Sequence, residues 1–173
     1  MKMPFSAATA LDSVRAGTPL QMIADGHSMD EIVAAVRDAK TGLRLGVTSL
    51  DEAGLRRVAG IDPWSVAMVV GHALLADEAA HSIARSLAGG RAPADGLMPY
   101  DRPGDATAAK DALLGAIAAS ERRLAETRTL PAGGPRYPHR DLGELDARGW
   151  ILFIGVHDAL HLHHAAAIVR TPR

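Results

Sequence analysis

Apolar residues recur at helical spacing along most of this chain, and polar caps punctuate them. The first clear helix opens at Ser28, where Ser28 and Glu31 have the spacing of a capping box, and continues through Met29, Ile32, Val33, Val36, Leu43 and Val47. Ser49 and Glu52 repeat that spacing and predict a shorter helical piece ending at Gly60. Asp62-Pro63 predicts the start of a long helix, Asp as the cap and Pro at the first helical position, that runs to Leu87 and stops at Gly89-Gly90. Its stripe is Met68, Val69, His72, Leu75, Ala76, Ala79 and Ile83, with a histidine in the middle of an apolar face. A third long helix is predicted from about Thr107 to Arg128, with Leu113, Leu114, Ile117 and Leu124 inward. The last begins near Asp146, runs towards Val169, and shows a face of Phe153, His157, Leu160, His161, His164 and Ile168.

The segments between these helices are rich in proline and glycine. Residues 91–105 carry Pro93, Pro99 and Pro103 and are expected to form a long surface connection; residues 131–138 form another loop. Residues 1–27 hold a short helix near Ser6–Ala16, then Gly17, Pro19 and Asp25-Gly26, and are treated as an extension packed on a domain of residues 28–173. Four long helices, two long loops and no strand pattern predict an all-α fold, an up-down antiparallel four-helix bundle with a short N-terminal extension.

Composition narrows the chemistry. The chain has 173 residues, enough for one domain with a substantial core, and its 3% aromatic content means that Ala, Leu, Val, Ile and Met must fill that core. Nineteen basic and 20 acidic residues give a net charge of −1 with no basic run, so neither nucleic acid nor an anionic membrane is an expected partner. There is no cysteine. Disulfides and thiolate metal sites are excluded, and any reactive thiol must come with a substrate. No signal-peptide core and no apolar run long enough for a membrane span is evident, which leaves the cytoplasm as the expected location.

His157 and His161 form His-x-x-x-His on a predicted helix. Four residues advance about 400° around the axis and about 6 Å along it, so both imidazoles project from one face and can converge on one ion. His72 lies on the apolar stripe of a separate helix, where an unpaired imidazole would cost stability by desolvation. Three independent core histidines, each bonded to a carbonyl or carboxylate, would be a coincidence; one divalent metal on His72, His157 and His161 accounts for all three. Three nitrogen ligands leave a coordination position open, as catalytic sites require, and suit Zn, Ni or Fe.

Other residues are weighed against the same geometry. His164 shares the face of His157 and His161 and is a candidate fourth ligand or pocket wall, whereas His163 points away. His81 falls half a turn off the stripe of His72 and is expected at the surface; His27 and His139 lie in predicted loops. Asp158 is placed to orient a ligand histidine or to cap a neighbouring group, while Asp77 and Glu78 read as solvated helix charges. Arg122 and Arg123 are candidates for binding an acidic substrate. No phosphate loop, dinucleotide fingerprint or nucleophile elbow occurs, so hydride transfer and nucleotide hydrolysis have no support.

Two blocks of sequence resemble the DinB/YfiT-like superfamily of metal-binding four-helix bundles. One is Ile61-Asp62-Pro63-Trp64-Ser65 leading to Val70-Gly71-His72 and Ala76-Asp77-Glu78; the other is Gly143-Glu144-Leu145, then Trp150 to Asp158, ending at His161. The resemblance covers roughly residues 28–170. It implies a metal on His72, His157 and His161, usually zinc or nickel, in a bundle that often forms a homodimer. Relatives in that superfamily include S-transferases that use bacillithiol, mycothiol or glutathione and a mycothiol-dependent maleylpyruvate isomerase. Two departures stand out: His164 replaces a frequent glutamine, and the N-terminal extension exceeds the family minimum, so that it is expected to cover the pocket or to enter a dimer interface.

The leading expectation is a metal-dependent thiol S-transferase acting on a small-molecule substrate with a low-molecular-weight thiol. Its alternatives are a metal-dependent hydrolase using metal-bound water and a non-catalytic, metal-stabilised stress-response module.

Overall fold

The computed structural model describes residues 5–59 and 63–171. Among them are helices α1 (Ala7–Arg15), α2 (Leu20–Asp25), α3 (Met29–Ser49), α4 (Glu52–Leu55), α5 (Val66–Ala88), α6 (Lys110–Ala125) and α7 (Ala147–Arg170), with a two-stranded hairpin of β1 (Tyr137–His139) and β2 (Gly143–Leu145). The four long helices α3, α5, α6 and α7 make the bundle. The all-α expectation holds, and the hairpin is the addition to it: three residues per strand are too few for an alternating pattern to register in the sequence.

The caps explain where the helices start. Ser28 accepts from the Glu31 N–H and the Glu31 carboxylate from the Ser28 N–H, the predicted box. Ser49 does not repeat it. Ser49 closes α3, its hydroxyl donating to the Gly46 carbonyl, and α4 is capped instead by Asp51, which accepts from the Gly54 N–H at 2.7 Å. The predicted stop at Gly60 and cap at Asp62 lie outside the described residues. Pro63 precedes α5 without opening it, because Ser65 takes the cap and accepts from the Met68 N–H. Gly89 ends α5 and Gly90, at φ +66°, turns the chain away.

Helix directions follow from who meets whom. Gly155 of α7 abuts Val36 and Leu162 abuts Gly42 and Gly46, so α3 and α7 run parallel. Lys110 bonds the Thr48 carbonyl near the end of α3 and Arg128 reaches Asp30 at its start, so α6 runs the other way, alongside α5. The order of directions is therefore up, down, down, up, with antiparallel packing of α7 on α5 and of α6 on α3. Two parallel successive helices require a connection that returns the length of the bundle. Residues 89–109 are that connection, and their return brings Gly104 against Gly71 near the start of α5.

α7 takes α1, α2, α3 and α5 around it. Its length and mean hydropathy of 1.2 are those of a helix able to cross a membrane, and here they suit a helix packed on several sides: Trp150, Ile151, Leu152 and Ile154 are fully buried. The N-terminal helices are pinned to its base. Gln21 Oε1 accepts from the Asp146 N–H at 2.8 Å, and Arg148 donates to the His27 carbonyl at 3.0 Å.

Candidate metal centre

His72 of α5 and His157 and His161 of α7 come together halfway along the bundle. One ring nitrogen from each lies within 4.8 Å of the others, and the Nε2 atoms of His157 and His161 are 3.1 Å apart. The His72 ring centre is 5.2 Å from that of His157 and 4.8 Å from that of His161. Nitrogens bound to one zinc ion at about 2.0–2.1 Å sit about 3.4 Å from one another, so modest ring rotations close this set. His72 is buried, and the other two are half-buried.

The returning connection sets the tautomer of His72. The Arg102 carbonyl lies 2.8 Å from His72 Nδ1, and a carbonyl can only accept. Nδ1 therefore carries the proton and Nε2 keeps its lone pair, as for a metal-ligating histidine oriented through its other nitrogen. Burial lowers the pKa of His72, more than the Arg102 carbonyl raises it. Burial, then the neighbouring imidazoles, hold His157 well below its ordinary value and push His161 to about 3. All three rings are neutral at pH 7, the state that ligation needs. The Nδ1 atoms of His157 and His161 are buried without a hydrogen-bond partner among the described residues. The donor set fits a divalent ion.

The trio lies in the wall of a cavity of about 410 Å³ whose other walls are mostly apolar, among them Leu11, Trp64, Met98, Phe153 and Leu160. Trp64 stands edge-on to His72 with ring centres 5.0 Å apart. α1 supplies Leu11, Val14 and Arg15, so the N-terminal extension does cover this cavity. The connection supplies Met98, Pro99 and Tyr100, and the hairpin supplies His139, Arg140 and Asp141. Arg140 ties the last two together: its guanidinium lies over the Tyr100 ring and bonds Asp101 at 2.9 Å, while its N–H donates to Tyr100 Oη at 3.0 Å.

Several expectations need correcting. Asp77 is fully buried, not solvated, whereas Glu78 is exposed. Asp77 pairs with Lys40 of α3 and accepts from Ser120 Oγ of α6 at 3.1 Å, and Asp158 of α7 lies 2.7 Å from the same Lys40 Nζ. Asp158 therefore faces Lys40 in place of orienting a ligand histidine. His81, expected at the surface, is buried and pushed to about 3 by burial and the nearby Lys40. The signal was a second stripe on α5, Ala73, Asp77, Ala80, His81 and Ala84, every member buried. Arg123 lines a different groove, between α5 and α6, and Arg122 is exposed, so neither faces the histidines. His163 is exposed as expected, and the ring of His164 lies 6.0 Å from that of His161, outside the convergent trio.

Bundle and histidine trio define a class of protein, a helical scaffold that presents three convergent imidazoles to an apolar cavity. The chain belongs to the DinB superfamily, which it matches over residues 39–165. It is similar in fold to TT2238, a four-helix bundle protein known from its crystal structure, with a TM-score of 0.61 and 21% identity over 81% of this chain and 99% of that one. No curated protein matches it.

Proposed function

We propose that this protein is a metal-dependent S-transferase that holds zinc or nickel on His72, His157 and His161. It joins a low-molecular-weight thiol to an electrophilic carbon: the S–H bond breaks and its proton leaves to solvent, the carbon–sulfur bond forms, and the carbon's leaving group departs with the electron pair of the bond that held it. The observation that carries this reading is the convergence of three neutral imidazoles on the wall of an apolar cavity, with no fourth protein ligand among the described residues. A divalent ion held there supplies a Lewis-acidic position at which a thiol binds as thiolate.

The chain's own residues set up the rest. The Arg102 carbonyl fixes His72 as a lone-pair donor. Phe153, Trp64 and Met98 give the cavity apolar walls, which lower the local dielectric and strengthen the interaction of a thiolate with a cation held there. With no cysteine in the chain, sulfur chemistry here requires a thiol from outside.

Metal analysis of purified protein is expected to give one equivalent per chain, falling to a trace in His72→Ala. On cobalt-loaded protein, added 2-mercaptoethanol is expected to produce a thiolate-to-cobalt charge-transfer band. Full metal content in His72→Ala removes the site, and a metal-loaded protein with no such band for any thiol removes the thiol.

A further inference from the structure

The cavity has a second polar feature that the histidine trio does not use. His139, at the end of β1, is 6% exposed and yet lines the cavity. Its ring stands 4.8 Å from Phe153, 5.6 Å from Trp150 and edge-on to Tyr100 at 5.1 Å, so three aromatic rings fix its plane. The tight turn after β1 fixes its protonation: the Asp141 N–H donates to His139 Nδ1 at 3.1 Å. A backbone N–H can only donate, so Nδ1 holds the lone pair and the proton is on Nε2. That Nε2–H has no hydrogen-bond partner among the described residues, and it is not sealed from the cavity as the Nε2 of His81 is.

A neutral donor held in an aromatic wall and open to the cavity is placed to meet an acceptor that arrives with a ligand. The Phe153 ring neighbours both His139 and the trio, 4.8 Å from His139 and 4.9 Å from His157. The cation of the hairpin turn, Arg140, is already engaged by Asp101 and Asp141.

We propose that His139 Nε2–H is a binding subsite for a ligand oxygen, a carbonyl or a carboxylate, carried a few bonds from the atom that meets the trio. This rests on the thiol reading above and narrows it: the favoured thiol bears an oxygen acceptor close to its sulfur. Burial holds His139 at about 4, below its ordinary value, so the subsite stays a neutral donor at pH 7.

The test has two arms. In metal-free protein, a long-range proton–nitrogen NMR spectrum, assigned by the signals missing from His139→Gln, is expected to show His139 protonated on Nε2 alone. The opposite tautomer overturns the subsite. In cobalt-loaded protein, mercaptoacetate and mercaptoacetamide are expected to bind about fivefold to tenfold more tightly than ethanethiol, the return for one added hydrogen bond. His139→Leu should reduce that preference to within about twofold while leaving ethanethiol affinity unchanged, and His139→Gln, which keeps an N–H, should restore it. A preference only for mercaptoacetate assigns the carboxylate, and a shared one assigns the carbonyl oxygen. Equal binding of all three thiols by the unaltered protein overturns the subsite and leaves the thiol reading intact. If no thiol binds, the thiol reading falls, and the subsite is decided by whether saturating acetate or acetamide shifts the Nε2–H resonance.

Discussion

Two polar clusters interrupt the apolar interior, and neighbouring residues of α7 belong to one each. His157 faces α5 and the cavity, where it meets His72 and His161. Asp158, about 100° further round the helix, faces the bundle axis and meets Lys40. The Lys40 cluster takes one residue from each long helix: Lys40 from α3, Asp77 from α5, Ser120 from α6 and Asp158 from α7, all fully buried. It contains its own counter-charges. The histidine trio has three bases and no acid, and it opens on a cavity. One cluster is closed by the protein itself; the other is left to be completed by something bound. That contrast separates a part of the interior whose charges are paired across the bundle from a part that offers its lone pairs to a cavity.

The sharpest way to break the comparison is to remove the cation from the closed cluster. Lys40→Met leaves two carboxylates in the core without their partner, and the expected loss is about 3–5 kcal/mol in denaturant unfolding. Burial already pushes Lys40 down and Asp158 up, against their mutual attraction. Replacing the three charged members together, with Lys40→Met, Asp77→Leu and Asp158→Leu, should therefore return stability to within about 1–2 kcal/mol of the original. If the triple variant is as unstable as Lys40→Met alone, the ion pairs contribute more than their desolvation costs, and the cluster is not merely a specifier of helix register.

Acid next tests two buried histidines that flank the clusters, His81 beside Lys40 and His139 in the cavity wall. His81 and His139 stay neutral in the folded chain down to about 3 and about 4, while the unfolded chain takes up protons near 6.5. Between those values the unfolded state holds more protons, so stability is fully present above about pH 6.5 and is lost as pH falls towards 4. Each such histidine contributes a slope of up to about 1.4 kcal/mol per pH unit. Denaturant midpoints of metal-free protein from about pH 7 to about pH 5 should fall accordingly, and less steeply in His139→Gln. A flat profile would mean that these rings take up protons in the folded state.

Gly104→Ala tests how the returning connection serves the trio. A Cβ on Gly71 would lie 2.8 Å from Gly104 Cα, and one on Gly104 would meet the Gly71 backbone, so the two chains touch where only glycine fits. The Gly104 N–H donates to the Met68 carbonyl at 2.9 Å, two residues along from the Arg102 carbonyl that holds His72. Pushing this crossing apart should cost about 1–3 kcal/mol and weaken metal binding about 10-fold, measured by competition with a chelator. Ala at Gly115, in the middle of α6 where a Cβ meets nothing, is the control: it should leave metal binding unchanged and raise stability by about 0.5–1 kcal/mol.

Much of this was legible in the sequence, for reasons the residues make plain. The trio was readable because His72 interrupts an apolar stripe and His157 and His161 share one helix face. The Lys40 cluster left the same kind of signal: Lys40 fills the step between Val36 and Leu43 on the stripe of α3, and Asp158 continues Ile151 and Ile154 on α7. Each charge looks solvated when its helix is considered alone, since nothing local says that three helices deliver compensating charges to one point. The Arg102 carbonyl and His139 were illegible for another reason. Both depend on where two irregular segments cross, and no periodicity records that.

The smallest expected effect concerns His164, which shares the helix face of the trio. A fourth ligand would have to bring a nitrogen within the 4.8 Å that the nitrogens of the three already span. The ring centres of His161 and His164 are 6.0 Å apart, against 4.3 Å for His157 and His161, and His164 is not among the three that converge. Position supports the same conclusion: three residues beyond His161 on α7, it sits nearly a full turn nearer the end where Ala165 and Ile168 pack with Val66 and Val70. His164→Ala should therefore retain one equivalent of metal, with affinity within about twofold of the original, where His72→Ala loses it. A fall in stoichiometry or a loss as large as that of His72→Ala would make the centre a four-histidine one, with no position open for a thiol, and would move this cluster into the closed class that Lys40 exemplifies.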